Sequence, residues 1–251
     1  MAELDRRYGQ SVGRADAAVI DQGLRAYMIR VYNYMASGVA ITGVVAYAIY
    51  AMSVVTGADG AITGLTSFGN MMFASAFKWV VIFAPLAMVF FLSFRIGTMS
   101  VSTAQTTFWV FSALMGASIA SIFLVYSGES IARVFFISAA TFGALSLWGY
   151  TTKKDISAWG SFLFMGLIGI ILASLVNLFL GSTALQFAIS VIGVLVFAGL
   201  TAYDTQQIKE MYSVQDDGTV AGKKAVMGAL RLYLDFINLF MMLLQLLGDR
   251  R

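Results

Sequence analysis

Long apolar stretches separated by short polar connections make up most of this 251-residue chain. A helix that crosses a bilayer needs about 20 mostly apolar residues, and seven stretches reach that length. They cover residues 33–55, 78–95, 105–126, 130–150, 158–180, 184–206 and 225–247. Because the connections between the last five are short, the pattern predicts one compact bundle, an all-α integral membrane protein with seven transmembrane helices.

Two interruptions of the apolar pattern carry structural predictions. The sequence "LGSTAL" at 180–185 nearly fuses the fifth and sixth stretches. We interpret it as a tight turn, with a single broken helix as the alternative. The one proline, Pro85, lies inside the second stretch, where it removes a backbone donor and is expected to kink the helix.

The N-terminal part follows a different pattern, because its apolar residues alternate with arginines. Within residues 14–31, five apolar side chains follow helical spacing: Ile20, Leu24, Tyr27, Met28 and Val31. This favours an amphipathic helix at the membrane surface. We therefore divide the chain into a cytoplasmic tail, 1–30, and a seven-transmembrane domain, 31–251. A polar tail that runs directly into the first span is the alternative.

Composition agrees with a membrane protein and excludes several other classes. Hydrophobic residues make up 59% of the chain and charged residues 12%, against about 25% charged in soluble domains. The formal charge of +3 gives no basis for nucleic-acid binding. Without cysteine there is no disulfide framework or thiolate metal site, and without histidine any pH sensing must use carboxylates. No cofactor is expected, since no nucleotide-binding loop or metal-ligand cluster is present.

Lysines and arginines are distributed unevenly between the two sides of the predicted bundle. With the N-terminus inside, the cytoplasmic side receives Arg6, Arg7, Arg14, Arg25, Arg30, Arg95, Lys153, Lys154, Lys209, Lys223 and Lys224. The other side receives only Lys78, Arg133, Arg250 and Arg251. This bias predicts a cytoplasmic N-terminus, and the odd number of spans then puts the C-terminus outside.

Two acids lie inside predicted spans, where ionisable residues are costly and usually face the bundle interior. Asp204 lies near the end of the sixth stretch and Asp235 near the start of the seventh. Because the sixth span ends on the side where the seventh begins, both acids fall at similar depth. Arg95 closes the second span on that side. We therefore expect three charges that are far apart in sequence to converge on one level of the membrane.

Asp235 has a second candidate partner, because Arg231 precedes it by four residues on the same predicted helix. Arg231 could neutralise Asp235 and extend toward the lipid headgroups, leaving Asp204 solvated beside Gln206. If the two acids instead face each other closely, they cannot both ionise, and the pair shares a proton. The sequence leaves both arrangements open.

The remaining polar residues have simpler interpretations. Glu129 and Arg133 are four apart and predict a local helix ion pair, with a cation-collecting mouth as the alternative. Asn177, Gln186 and Asn238 are predicted to form hydrogen bonds between helices.

Three segments resemble signatures of the Bax inhibitor family of membrane proteins. They are "FFISAATFGALSLWGYTTKKDISAWGSFLFMGL" at 135–167, with its T-F-x-x-L-S and K-K-D-I-S patterns, "GLTAYDTQQIKEMY" at 199–212 and "LYLDFINLF" at 232–240. The resemblance covers roughly residues 30–247 and is greatest to the bacterial branch. It therefore implies a multi-pass protein of the bacterial inner membrane.

The resemblance also implies a fold and a set of site residues. The expected fold is seven helices with the last one central, wrapped by the other six. Characterised members are pH-sensitive calcium leak pathways in which two aspartates of the sixth and seventh helices share a proton. These match Asp204 and Asp235, which would contact Ca²⁺ transiently. A basic residue that ends the second helix latches onto the first acid. Arg95 matches it by position, and Arg231 is a further charge partner.

Three classes of function follow, of which a pH-sensitive calcium or cation leak channel is the principal one. The alternative is a non-conducting interaction protein that modulates a membrane-bound AAA protease or a stress response, with residues 1–30 as the contact. An intramembrane aspartyl protease is disfavoured, because "YLDFIN" lacks the Gly-x-Gly-Asp that its second helix should carry. The chain is accordingly not expected to be an enzyme, and its expected partners are lipid, Ca²⁺ and protons.

Overall fold

The computed structural model describes residues 2–58 and 61–251, with side chains described from residue 20 onward. Helices dominate this part of the chain, and a short hairpin follows the first helix. The helices are α1 Ala2–Ser53, α2 Ser67–Gly69, α3 Phe77–Arg95, α4 Val101–Ile119, α5 Ile122–Val125, α6 Gly128–Thr151, α7 Trp159–Leu180, α8 Thr183–Glu210 and α9 Gly218–Leu247. A π-helical turn covers Asn70–Ala74, and the strands are β1 Val54–Thr56 and β2 Ile62–Leu65.

Seven helical segments of the described chain are long and apolar enough to cross a membrane. The first is Ile20–Ser53 within α1, and the third, Val101–Val125, combines α4 and α5. The others are α3, α6, α7, α8 and α9. The predicted all-α architecture with seven transmembrane helices is therefore confirmed.

Helix α1 passes through residue 30 without interruption. The face predicted to lie on the membrane surface turns toward the bundle, because Tyr27, Met28 and Val31 are buried in its core. Tyr27 also packs against Tyr212, with ring centroids 5.6 Å apart. The division between tail and domain stays a prediction, and the side chains of its first 19 residues lie outside the described part.

A two-stranded hairpin follows α1 and was not predicted. The first apolar stretch was expected to continue as a helix to residue 55, but α1 ends at Ser53, and Val54 then pairs with Leu65. Thr66 closes the segment by accepting a hydrogen bond from the Gly69 backbone N–H at 3.0 Å. Three β-branched and apolar residues are too few to distinguish a strand from the end of a helix by periodicity.

The turn between α7 and α8 is as tight as the sequence predicted. Gly181 has φ 60°, a left-handed conformation that glycine adopts without steric cost, and its N–H donates to Asn177 O at 2.8 Å. Ser182 then caps α8 by accepting from the Leu185 N–H at 3.2 Å. Two separate helices, rather than one broken helix, therefore occupy this part of the chain.

Helix α9 supplies more buried residues than any other helix in the described part of the chain. It packs against α8, α1, α6 and α4. The Thr42 hydroxyl donates its only proton to Ser112 O at 2.8 Å, so in the contact at 2.6 Å it must accept from the Tyr233 hydroxyl. Together the two bonds join α1, α4 and α9. That all six other spans surround α9 stays an expectation.

The two ends of the bundle are fixed by contacts distant in sequence. At one end Arg133 pairs with Asp249 at 2.7 Å, and Tyr126 bridges to Arg250. The predicted local pair between Glu129 and Arg133 is therefore wrong, because the end of α9 brings a better-placed carboxylate to Arg133. The connection between α8 and α9 lies at the opposite end, beside Tyr27.

Helices α6 and α8 meet so closely at Gly149 that a methyl group there would collide with the backbone oxygen of Ala202. The change Gly149→Ala should therefore destabilise the bundle by about 1–3 kcal/mol through overpacking. The matched control is Gly143→Ala on the same helix, where no heavy atom lies within 4 Å of the added carbon. The measurement is the thermal unfolding midpoint of both variants in detergent. Equal midpoints would contradict this packing.

Candidate functional site

Asp204 of α8 and Asp235 of α9 meet between the two helices. Asp235 is 5% exposed, whereas Asp204 is only partly buried. The two side chains lie within hydrogen-bonding reach of each other. The expected convergence of these acids at one depth is therefore found in the structure, and we refer to Asp204 and Asp235 as the aspartate pair.

The aspartate pair has an unusual hydrogen-bonding environment. Oδ2 of Asp235 is shielded from solvent and has no hydrogen-bond donor among the described residues. An ionised carboxylate buried without donors or a counterion is strongly unfavourable. Two carboxyl groups can form a hydrogen bond with each other only when one of them carries a proton. The geometry is therefore suited to holding one proton between the acids.

Arg231 attracts both acids electrostatically but forms no ion pair within 4.0 Å of either in the described chain. Its side chain is exposed, while Asp235, four residues later, is buried. The alternative in which Arg231 directly neutralises Asp235 therefore does not match this conformation. Arg231 instead acts on the pair from its exposed side.

Arg95 ends α3 at the same end of the bundle as the pair. It is exposed and makes no ion pair with Asp204 or Asp235 in this structure. The structure thus brings together the two predicted acids and places Arg231 near them, while Arg95 stays apart. A latch formed by Arg95 remains a prediction about another conformation.

Known proteins are similar to this chain over almost its whole length. A family model described as "Inhibitor of apoptosis-promoting Bax1" matches residues 24–251. This chain belongs to the Bax inhibitor family. It is similar to the Inner membrane protein YbhL of Escherichia coli K12, with 46% identity over 95% of this chain and 98% of the relative.

Two further relatives extend the similarity to other bacteria. A Rickettsia prowazekii protein, RP147, is 46% identical over 92% of both chains. A Caulobacter vibrioides protein is 43% identical over 100% of both chains. The Bax inhibitor family is a family of membrane proteins and not a known enzyme family, which agrees with the seven spans.

In this Bax inhibitor chain, a row of hydroxyls next to Asp204 holds three helices together. The Thr205 hydroxyl donates to Thr201 O at 2.7 Å, so Ser146 must donate to Thr205 at 2.9 Å, and Tyr32 to Ser146 at 2.7 Å. Ser146 is the last residue of the T-F-x-x-L-S pattern. The row links α1, α6 and α8 and fixes the position of α8 behind the aspartate pair.

Gln206 attaches the K-K-D-I-S loop to the helix that carries Asp204. Its Nε2 donates to Lys154 O at 2.8 Å, and its Oε1 accepts from the Ile156 N–H at 3.0 Å. Gln206 is buried, so it belongs to the packed loop contact and not to a solvated group beside Asp204. The signal for this role was available in the sequence, since a glutamine side chain can donate to and accept from one stretch of backbone at once.

Asp155 of the same loop shapes the turn into α7. Hydrogen bonds from the Ser157 hydroxyl and then from its backbone N–H, the latter at 2.8 Å, hold the pKa of Asp155 below its usual range. This carboxylate is fully exposed and takes no part in the aspartate pair. The K-K-D-I-S pattern therefore describes a turn anchored by its own aspartate and by Gln206.

The other predicted interhelical amides are only partly confirmed. Asn177 donates to Gln186 at 3.1 Å, and Gln186 in turn donates to Gln245, so α7, α8 and α9 are joined far from the aspartate pair. Asn238 donates to Leu234 O of its own helix at 2.8 Å, and the prediction for it is wrong. A side-chain amide can share the carbonyl one turn back on its own helix and then does not need a neighbouring helix.

The Gln206 contacts give a direct test of this part of the site. The change Gln206→Leu should leave the Lys154 carbonyl and the Ile156 N–H without their side-chain partner, at about 1–3 kcal/mol for the buried N–H of Ile156. Faster hydrogen exchange at Ile156 is the expected result. Gln207→Leu is the matched control, because Gln207 makes only exposed contacts with Ser157 and Glu210. Unchanged exchange in Gln206→Leu would exclude the anchoring role.

Proposed function

We propose that this protein is a pH-sensitive cation leak channel, with calcium as its permeant ion, gated by the aspartate pair. The observation that supports the proposal is the buried Oδ2 of Asp235, which has no conventional donor and lies beside the carboxyl of Asp204. A purely structural carboxylate in a membrane bundle would be expected to have an ion pair or several hydrogen bonds. Among the described residues this pair has neither, and it is suited to exchange a proton or a cation.

The proposed gate has two states. With one proton on the pair, a shared hydrogen bond holds α8 and α9 together and the pathway is closed. When both carboxyls ionise, like charges at close range repel, and separation of the two helices opens the pathway. Conduction therefore increases as pH rises through the range in which the shared proton is lost. Arg95 becomes available to Asp204 in the separated state and completes the latch implied by the family.

Calcium suits the site because it prefers hard oxygen ligands. Two carboxyl groups offer four oxygens, fewer than the six to eight that Ca²⁺ takes when it is held firmly. No group of three or more acidic residues that could hold a metal occurs in the described chain. Transient contact during passage therefore fits this geometry better than storage. The nearby charge of Arg231 further weakens cation binding in the closed state.

Substitution of either acid tests the gate. Asp204→Asn and Asp235→Asn keep most of the side-chain volume but cannot ionise, so each should flatten the pH dependence of calcium flux. The double variant should flatten the pH dependence little more than either single variant does, since the two carboxyl groups act as one unit. Calcium flux into proteoliposomes, from mildly acidic to mildly alkaline pH, is the measurement.

Glu210→Gln is the control for these variants, because Glu210 is an exposed acid on the same helix, and it should keep the wild-type profile. If both single aspartate variants kept that profile, the shared-proton gate would be wrong. Absence of flux in the wild-type protein at every pH would instead favour the alternative of a non-conducting protein that modulates a membrane-bound AAA protease. That alternative draws support from α1, whose 52 residues exceed what one membrane crossing requires.

We further propose that the protein spans the bacterial inner membrane with its N-terminus in the cytoplasm. The Lys and Arg bias supports this orientation, and one relative is named as an inner membrane protein. Because the chain has no cysteine, a thiol reagent can label this protein only at a cysteine introduced by substitution. Lys153→Cys should react with an impermeant thiol reagent only after the membrane is opened, and Arg251→Cys in intact spheroplasts. Labelling of both from the same side would contradict seven spans.

A further inference from the structure

A basic cavity lies between the end of α3 and the start of α9, next to the aspartate pair. Its volume is about 390 Å³, and its lining includes Lys223, Lys224 and Arg231. This volume falls within the range of small-molecule sites, about 300–1,000 Å³. We refer to it as the basic cavity.

The three cations of the basic cavity differ in how far their charges are already satisfied. Lys224 pairs with Asp216 at 2.6 Å and also donates to Met211 O. Lys223 donates to the neutral Gly97 carbonyl at 2.8 Å. Arg231 makes no hydrogen bond or ion pair in the part of the chain that the structure describes. The cavity therefore has a surplus of positive charge and unused guanidinium donors.

The walls of the basic cavity are apolar. Its lining also includes Ile96, Met211, Val220 and Met227, and no acidic residue in the described part of the chain contributes to it. Ile96 follows Phe94 closely, and Phe94 is 81% exposed on the apolar surface of α3. A ligand that suits this lining has an anionic group for the cations and an apolar part for the walls and the adjoining membrane.

The depth of the cavity matches the position of a lipid headgroup. Lys223 and Lys224 lie in the second turn of α9, and Arg231 lies two turns deeper, about 10–12 Å along the helix. The polar layer of a bilayer is about 5–7 Å thick on each side of the hydrocarbon. The lysines are thus placed at the level of water and headgroups, with Arg231 at the inner limit of that layer.

We propose that the basic cavity binds the phosphate group of an anionic phospholipid. Guanidinium and phosphate form charge-assisted, bidentate hydrogen bonds, and basic pockets between membrane helices are suited to anionic headgroups. The phosphate contacts Arg231, while Lys223 attracts it at the mouth. Binding here does not depend on whether the protein conducts ions.

Lipid titration of the purified full-length protein in a neutral detergent tests the site. The ligands are phosphatidylglycerol, phosphatidylcholine with the same acyl chains, and inorganic phosphate. Native mass spectrometry measures bound lipid, and thermal unfolding measures stabilisation. We expect phosphatidylglycerol alone to be retained and to raise the unfolding midpoint.

Substitutions then assign the binding to the cavity. Arg231→Gln and Lys223→Gln should each weaken the apparent affinity for phosphatidylglycerol about fivefold, which corresponds to one cation near the membrane surface. Arg231→Lys keeps the positive charge and should therefore recover part of the lost affinity. This recovery would show that Arg231→Gln loses affinity through its charge and not through misfolding. Lys153→Gln, an exposed cation at the same end but outside the cavity, should bind as the wild type does.

Three results would overturn the assignment. If phosphatidylcholine were retained as well as phosphatidylglycerol, headgroup charge would not determine binding. If Lys153→Gln weakened binding as much as the cavity variants do, the binding could not be assigned to the cavity. Stabilisation by inorganic phosphate alone to the same extent would show that the ligand is a soluble anion. Because calcium flux is not measured, failure of the proposed channel function would leave these results unchanged.

Discussion

A carboxyl group that is buried in an apolar bundle without a donor constrains everything around it. Asp235 is held in this situation by α9, and the group that faces it is a second acid rather than a base. An isolated ionised carboxylate would be far too costly there. Two acids can remain together if a proton lies between them, and under the proposed function this makes the contact between α8 and α9 dependent on protonation.

Hydrogen bonds around the aspartate pair attach both of its helices to the rest of the bundle, and on α9 the Tyr233 hydroxyl bonds to Thr42 of α1. Behind Asp204, the hydroxyls of Thr205, Ser146 and Tyr32 tie α8 to α6 and α1. Near the other end of the membrane, the side chains of Gln186 and Gln245 join α8 to α9. Under the proposed gate, the aspartate pair is the contact between α8 and α9 that depends on protonation, while these hydrogen bonds keep both helices in the bundle.

The sequence was informative wherever one dominant force decides the structure. Seven helices follow from hydrophobic length alone, because a membrane admits few other solutions. The common depth of Asp204 and Asp235 followed from chain direction, since adjacent antiparallel spans bring the end of one beside the start of the next, whereas their direct contact was left open. Gly181 marked its turn because only glycine adopts that backbone conformation readily.

What the sequence did not predict depends on small differences between competing partners. Arg133 pairs with Asp249 and not with Glu129, and Asn238 forms its hydrogen bond within its own helix. The hairpin after α1 and the anchoring role of Gln206 involve a few hydrogen bonds each, and these contacts become visible only once the helices are placed.

Arg231 connects the site to the membrane surface. It stands one helical turn before Asp235, yet its side chain is exposed while that of Asp235 is buried. The same guanidinium therefore acts electrostatically on the aspartate pair and lines the basic cavity. A cation that faces two anionic partners cannot satisfy both fully, because each gain with one reduces its attraction to the other. Under the proposed lipid binding, the balance between the acids inside the bundle and an anionic headgroup outside it is therefore set at Arg231.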